Sequence, residues 1–124
     1  MSRGLNKVMV IGDVGRDPEM RYTPGGKPVT SFSVAATRRW INSGGEPCTD
    51  TEWFNVVAWG SLAEICKQRL HKGRQVYVEG RLQTRSWEDR GGETRFRTEL
   101  VASEMIVLDS HRVGSEDADA AEVM

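Results

Sequence analysis

Four tryptophans, Trp40, Trp53, Trp59 and Trp87, are the residues of this 124-residue chain best suited to grip a partner. Arginines stand near them in sequence: Arg38 and Arg39 before Trp40, Arg85 before Trp87, and Arg95 and Arg97 in the next segment. An indole ring stacks on any flat π surface, and a guanidinium attracts phosphate. Together they suit an unpaired nucleotide chain, whose bases expose their faces; a duplex keeps its bases stacked internally. Each stacked base contributes about 1–3 kcal/mol. Cations beside the rings release counterions from phosphates, so affinity would fall with salt. The competing reading buries the rings in a core or between subunits, and a single strand does not decide between the two.

The central element is Thr51–Trp59, Thr-Glu-Trp-Phe-Asn-Val-Val-Ala-Trp, aromatic and β-branched and stopped by Gly60. It reads as a strand. Residues two apart share a strand face, so Trp53, Asn55, Val57 and Trp59 project together, opposite Phe54, Val56 and Ala58. One face suffices for a core, which leaves the tryptophan face for a ligand or a subunit.

The other elements follow from periodicity. Leu5–Ile11 is nearly continuously apolar and is expected to be covered on both faces. Gly12 and Gly15 mark a turn or strand bend; no Lys-Ser/Thr follows to make a phosphate loop. Asp17-Pro18 and Pro24-Gly25-Gly26 are turn signals around a short edge segment at Arg21-Tyr22. Val29–Trp40 is a strand with Phe32, Val34 and Ala36 on one face. It leads into a long loop, Ile41–Asp50. Ser61-Leu62-Ala63-Glu64 matches a capping box, with Ser61 as N-cap. Leu62, Ile65, Cys66 and Leu70 then repeat at helical spacing up to Gly73. Lys67, Arg69, His71 and Lys72 complement the helix dipole. Arg74–Trp87 is a long strand, with Val76, Val78, Gly80, Leu82 and Thr84 forming a core face. Glu88–Glu93 is a second hairpin loop, and a last strand runs from Thr94 to Leu108. Five strands with a helix between the third and fourth is the order of an all-β OB-fold, a five-stranded Greek-key barrel. In it, the tryptophans at the two hairpin roots flank the central strand and all four rings trace one path.

Length suits one domain, residues 1–110, followed by a short acidic tail, 111–124, expected to be disordered. Net charge is −1, from seventeen basic and eighteen acidic residues. The tail holds Arg112 and four acids (Glu116, Asp117, Asp119, Glu122), which leaves the body at net +2. A mildly basic body is compatible with phosphate binding. Cys48, placed in a loop, and Cys66, a small hydrophobe on the helix, form neither a disulfide framework nor a zinc spacing. His71 and His111 sit beside no nucleophile. No catalytic site, cofactor or metal is implied. No apolar run reaches membrane-spanning length and the N-terminus has no signal core, so a cytoplasmic, nucleoid-associated protein is expected.

Ordered stretches of the chain resemble the bacterial-type single-stranded DNA-binding protein family over about residues 2–108. They are Ser2–Val8, Gly12–Tyr22, Thr51-Glu52-Trp53, Gly60–Glu64 and Lys72–Trp87. The resemblance implies an OB-fold assembling as a homotetramer that wraps single-stranded DNA during DNA replication, recombination and repair. It implies DNA-stacking roles for Trp40, Trp53, Trp59 (often Phe in the family) and Trp87. It implies phosphate contacts for Arg3, Lys7, Arg21, Lys72 and Arg85. Tyr77 and Glu79 match a subunit-contact surface, and the N-terminal strand another interface. Asn55, Ser61 and Gln83 depart from the family, standing where members carry Arg or Lys; Arg38, Arg39, Arg81, Arg95 and Arg97 are the candidates to supply that charge. Typical members continue through a Gly/Gln/Pro-rich linker to an acidic tip closing in Pro-Phe, which docks other genome-maintenance proteins. Here the last residues are Glu122-Val123-Met124, acidic but without an aromatic.

Two other readings stay open on sequence: an OB-fold kept as a protein-interaction module, and binding to single-stranded RNA, since stacking does not read the 2′-OH.

Overall fold

The computed structural model describes residues 2–109. The expectations for the acidic tail and for Glu122-Val123-Met124 fall outside them. Six strands and one helix occur in the order β1 (Val8–Val14), β2 (Glu19–Tyr22), β3 (Pro28–Ile41), β4 (Pro47–Trp59), α1 (Ser61–Arg69), β5 (Gln75–Glu88) and β6 (Thr94–Val107). The sheet order is β1-β5-β6-β4-β3-β2, and β1 also pairs with β3. Five strands therefore close a barrel, with β2 added at the edge of β3 as the sequence suggested for Arg21-Tyr22. The helix lies between the fourth and fifth strands of this numbering, as the OB-fold order requires.

Alternation along the strands fills the barrel. Val10, Val14, Phe32, Val34, Val56, Val76, Val78 and Leu100 point inward. The helix closes the barrel with Ala63, Cys66 and Leu70. The buried Thr30 hydroxyl donates to the Ala63 carbonyl at 2.7 Å, tying helix to barrel wall. Such burial disfavours a charged thiolate and pushes the Cys66 thiol up to about 11.

Several local expectations are corrected. Ser61 is not the helix N-cap. Gly60 holds that position at φ 66°, and no side chain caps the end. The first turn closes instead through backbone, Ala63 N–H donating to the Gly60 carbonyl at 3.0 Å. The helix stops at Arg69, with Gly73 (φ 92°) in the following turn. Of the turn or strand bend expected at Gly12, the turn is excluded, because Gly12 lies inside β1.

The first hairpin is longer and its loop shorter than the sequence suggested, while the second matches its expected strands and loop to within one residue. β3 and β4 pair without interruption from Val29↔Trp59 to Ile41↔Pro47, so Cys48 is a strand residue. The Asn42–Glu46 turn is closed by the Asn42 side chain, whose Oδ1 accepts from the N–H of Gly44 at 2.9 Å and of Glu46 at 3.0 Å. Asp89 repeats this arrangement in the β5–β6 hairpin, accepting from Gly91 and Glu93. An Asx side chain mimicking backbone suits so tight a turn. Beyond Gly80 the β5–β6 hairpin leaves the barrel, and Leu82, read as core, is 42% exposed. Strand β1 is covered on one face only: Val10 is buried while Met9 and Ile11 are exposed.

Candidate nucleic-acid interface

Strand register decides which rings share a surface, because paired residues project from the same side of a sheet. On the outer side, β3 places Ala35 beside Trp53, Ser33 beside Asn55 and Val29 beside Trp59. Strand β4 runs parallel to β6 with Val57 against Val101. Strand β6 in turn pairs Val101 with Arg81, Glu99 with Gln83, Arg97 with Arg85 and Arg95 with Trp87. One continuous face thus carries Trp53, Trp59 and Trp87 together with Arg81, Arg85, Arg95 and Arg97. Arg39 extends it along β3, and Arg21 adjoins it from β2, where its Nη1 donates to Ser31 Oγ at 3.3 Å.

Trp40 is not on that face. It pairs with Cys48, and Arg38 pairs with Asp50, both in the register that leads inward to Phe32 and Val56. Trp40 and Arg38 therefore project from the opposite side of the β3–β4 hairpin. A path through all four rings must pass around the hairpin rather than across a single surface.

None of the rings is core. Trp53 is 59% exposed, Trp59 and Trp87 each 42%, and Trp40 38%. Each is nevertheless held. The Arg38 guanidinium lies 4.3 Å from the Trp40 ring centre, Arg85 5.4 Å from that of Trp87, and the Lys27 ammonium 5.6 Å from that of Trp59. Such cation–π contacts support one ring face. Trp53 is seated differently, against Gly15. A Cβ added there would stand 2.4 Å from the ring, so only glycine leaves the space the indole occupies. The sequence marked Gly15 as a turn or strand bend; its role in seating Trp53 becomes visible only when β1 closes on β3.

The cations differ in what they already hold. Arg85 pairs with Glu99, its Nε and Nη2 each 3.3 Å from a carboxylate oxygen. Arg97 Nε lies 3.6 Å from the same carboxylate. Glu99 itself is only 9% exposed. It is the main site residue that sequence reasoning missed, although its spacing of two from Arg97 and four from Arg95 places all three on one face. Arg95 is held by the hairpin's own acids, 2.7 Å from Asp89 and 3.7 Å from Glu93. Its guanidinium and two backbone N–H groups keep the Asp89 carboxyl below the usual range. Arg38 meets Asp50 at 4.0 Å. Among the described residues, Arg3, Arg39 and Lys72 have no acidic partner for their side chains. The Lys72 backbone N–H donates to Asp17 at 2.8 Å, well away from the tryptophan face in chain order but fixed against the β1–β2 loop.

A second surface lies at the other end of β5. Tyr77 hydrogen-bonds Glu79, and Lys7 meets Glu79 at 3.0 Å. Register sets Ile11 and Ile106 on either side of Tyr77, and Met9 and Glu104 on either side of Glu79. The exposed Met9, Ile11 and Ile106 make this an apolar face with a polar centre.

What such a layout does is set by its shape: flat exposed rings and cations on an open sheet engage a long polyanion with accessible aromatic groups, not a small substrate in a closed pocket. Among the described residues no cluster of His, Cys, Asp and Glu has the makings of a metal site. No helix in them is long and apolar enough to cross a membrane.

Known proteins resemble this chain in sequence and fold. The model of the single-strand binding protein family matches residues 5–108. Single-stranded DNA-binding protein 1 of Chlorobaculum tepidum is 49% identical over 122 residues, covering 98% of this chain and 75% of that protein. The solved structure of a Plasmodium falciparum SSB complex with ssDNA superposes with a TM-score of 0.80 at 33% identity, over 88% of this chain and 99% of that one. The matched stretch contains the whole barrel, both hairpins and all four tryptophans, and on that extent the chain belongs to the single-strand binding protein family.

Proposed function

We propose that this protein binds and wraps single-stranded DNA without regard to sequence and protects it during replication, recombination and repair. The observation that carries the reading is the outer sheet face on which Trp53, Trp59 and Trp87 stand among arginines. Bases stack on the rings, and the phosphates between them meet Arg39, Arg85, Arg97 and Arg21. Trp40 with Arg38 extends the path around the hairpin edge. Arg3, Lys7, Lys72 and Arg95 are further phosphate contacts, Lys7 and Arg95 by exchanging an internal carboxylate for phosphate. The function is binding, with no chemical step.

The protein acts as a homotetramer in this reading. Support comes from the face of Met9, Ile11, Tyr77, Glu79 and Ile106, which leaves large apolar side chains uncovered on a single chain. Genome-maintenance proteins are the expected further partners, and the nucleoid the expected place of work.

The test is intrinsic tryptophan fluorescence during titration with oligo(dT), at low and high salt, with oligo(U) as competitor. Strong quenching that weakens with salt is expected. No quenching at low salt sinks the proposal, and preference for oligo(U) moves it to RNA.

A further inference from the structure

A groove of about 510 Å³ runs from Trp59 across β6 to β5. Lys27, Trp59 and Ser61 form one side, Arg81 and Gln83 the other, and Val101 lies between them. Both of its cations are placed by the fold. Lys27 closes the turn between β2 and β3: its N–H donates to Thr23 Oγ1 at 3.0 Å and its carbonyl accepts from the Thr23 N–H at 2.9 Å. Its side chain then crosses Gly60, coming within 3.8 Å of where a Cβ would stand, and ends over the Trp59 ring. Arg81 is fixed by the pairing of β5 with β6 at Val101, and its Nη2 donates to Gln83 Oε1 at 3.1 Å.

These two cations are unlike most on the tryptophan face. Arg85, Arg95 and Arg97 each have a carboxylate partner. Among the described residues, Lys27 and Arg81 have none. The one side-chain amide oxygen of the groove, on Gln83, is already taken by Arg81. What the groove still offers is mainly donors: the Lys27 ammonium, the remaining Arg81 N–H groups, the Gln83 amide N–H and the Ser61 hydroxyl. A site rich in donors and cations, with few free acceptors, suits an anion with several acceptor oxygens.

We propose that this groove is a phosphate subsite, in which Lys27 and Arg81 clamp the backbone phosphate of the nucleotide whose base stacks on Trp59. The inference rests on the single-strand-binding function above; it adds Lys27, which the sequence pattern did not assign, and gives Arg81, until now only a candidate charge, a specific phosphate. A base seated on Trp59 carries its own phosphate within one nucleotide of the ring, so stacking and clamping act on the same unit. Lys27 exchanges its place over the ring for the phosphate as the base arrives.

Lys27→Gln and Arg81→Gln remove charge at exposed positions while keeping side-chain bulk. Affinity for oligo(dT) is measured by fluorescence at several salt concentrations. Each phosphate contact on a single strand contributes about 0.7 to the slope of log affinity against log salt. Each single variant is expected to lose about that much, and the double variant about twice as much. Arg69→Gln, on the helix, is the control and keeps the wild-type slope. A double variant with the wild-type slope overturns the subsite while leaving the DNA-binding function intact. So does a control that loses as much as the single variants, because the effect is then one of net charge. Absence of salt-dependent quenching in the wild type overturns both readings.

Discussion

Arg85 on β5 reaches diagonally to Glu99 on β6, whose register partner is Gln83, in a side-on ion pair with both contacts at 3.3 Å, in the middle of the surface assigned to DNA. A carboxylate is an odd occupant of a face proposed to bind phosphate. Its near burial and its second partner, Arg97, explain it: Glu99 holds two guanidinia in place, and in the proposed function it would compete with phosphate for them. Glu99→Gln is expected to lower stability by about 1 kcal/mol through loss of charge-assisted hydrogen bonds. It is also expected to tighten DNA binding at low salt and steepen its salt dependence, because two arginines are freed. Thermal melting and salt-dependent titration measure the two effects. An unchanged salt slope would place the phosphate path away from Arg85 and Arg97.

Trp53 and Trp40 stand on opposite sides of one hairpin, so on the proposed path the length of DNA is expected to decide which of them matters. A short oligonucleotide of about eight residues fits one sheet face. With it, Trp53→Ala is expected to cost about 1–3 kcal/mol of binding, and Trp40→Ala almost nothing. With long oligonucleotides both substitutions weaken binding. Equal losses at every length would mean that even a short strand engages both rings, and the proposed order of contacts would fall.

Much of this was legible in the sequence, and the failures have identifiable causes. The shared face of Trp53 and Trp59 needs only the two-residue period of one strand. The strand order and helix position need only the spacing of turn signals. The side occupied by Trp40 needs the register between strands: Trp40 lies five residues beyond Ala35, the partner of Trp53, and an odd offset reverses the face. Ser61 and Glu64 have the spacing of a capping box, but Gly60, with its positive φ, starts the helix one residue earlier. Leu82 matches the core alternation of β5, but the hairpin has left the barrel by that point. Lys27 gave no signal, because nothing in Gly-Gly-Lys-Pro reveals that the side chain crosses a glycine thirty-three residues away.

Gly15 tests how closely Trp53 is seated. A methyl group there meets both the Trp53 ring and, at 2.8 Å, the Ser33 hydroxyl. Gly15→Ala is expected to displace the ring, with an overpacking cost of about 1–3 kcal/mol. Binding to short oligo(dT) should weaken and the tryptophan emission of the free protein should shift. An Ala variant with wild-type emission and affinity would show that the ring is free to move.

Tyr77 and Glu79 give the apolar face a defined pH range. The bond to Glu79 is the main reason the Tyr77 phenol is pushed up from 10.0 to about 12, with desolvation and the charges of Glu79 and Glu104 adding to it. The same bond, then the one from Lys7, holds the Glu79 carboxyl below its usual 4.5. A lowered carboxyl contributes stability above its unfolded value and loses it as pH falls through the folded one. A raised phenol contributes below 10 and loses that contribution as pH rises toward 12. Stability from this cluster is therefore flat from about pH 5 to 10 and falls on both sides. Because the cluster lies on the face proposed to join subunits, assembly should follow the same profile in sedimentation or light scattering. Tyr77→Phe is expected to remove the cluster's alkaline fall and bring its acid fall to higher pH, since Glu79 loses its strongest partner. A variant with both limbs unchanged would show that other groups set the profile and that this hydrogen bond does not control the interface.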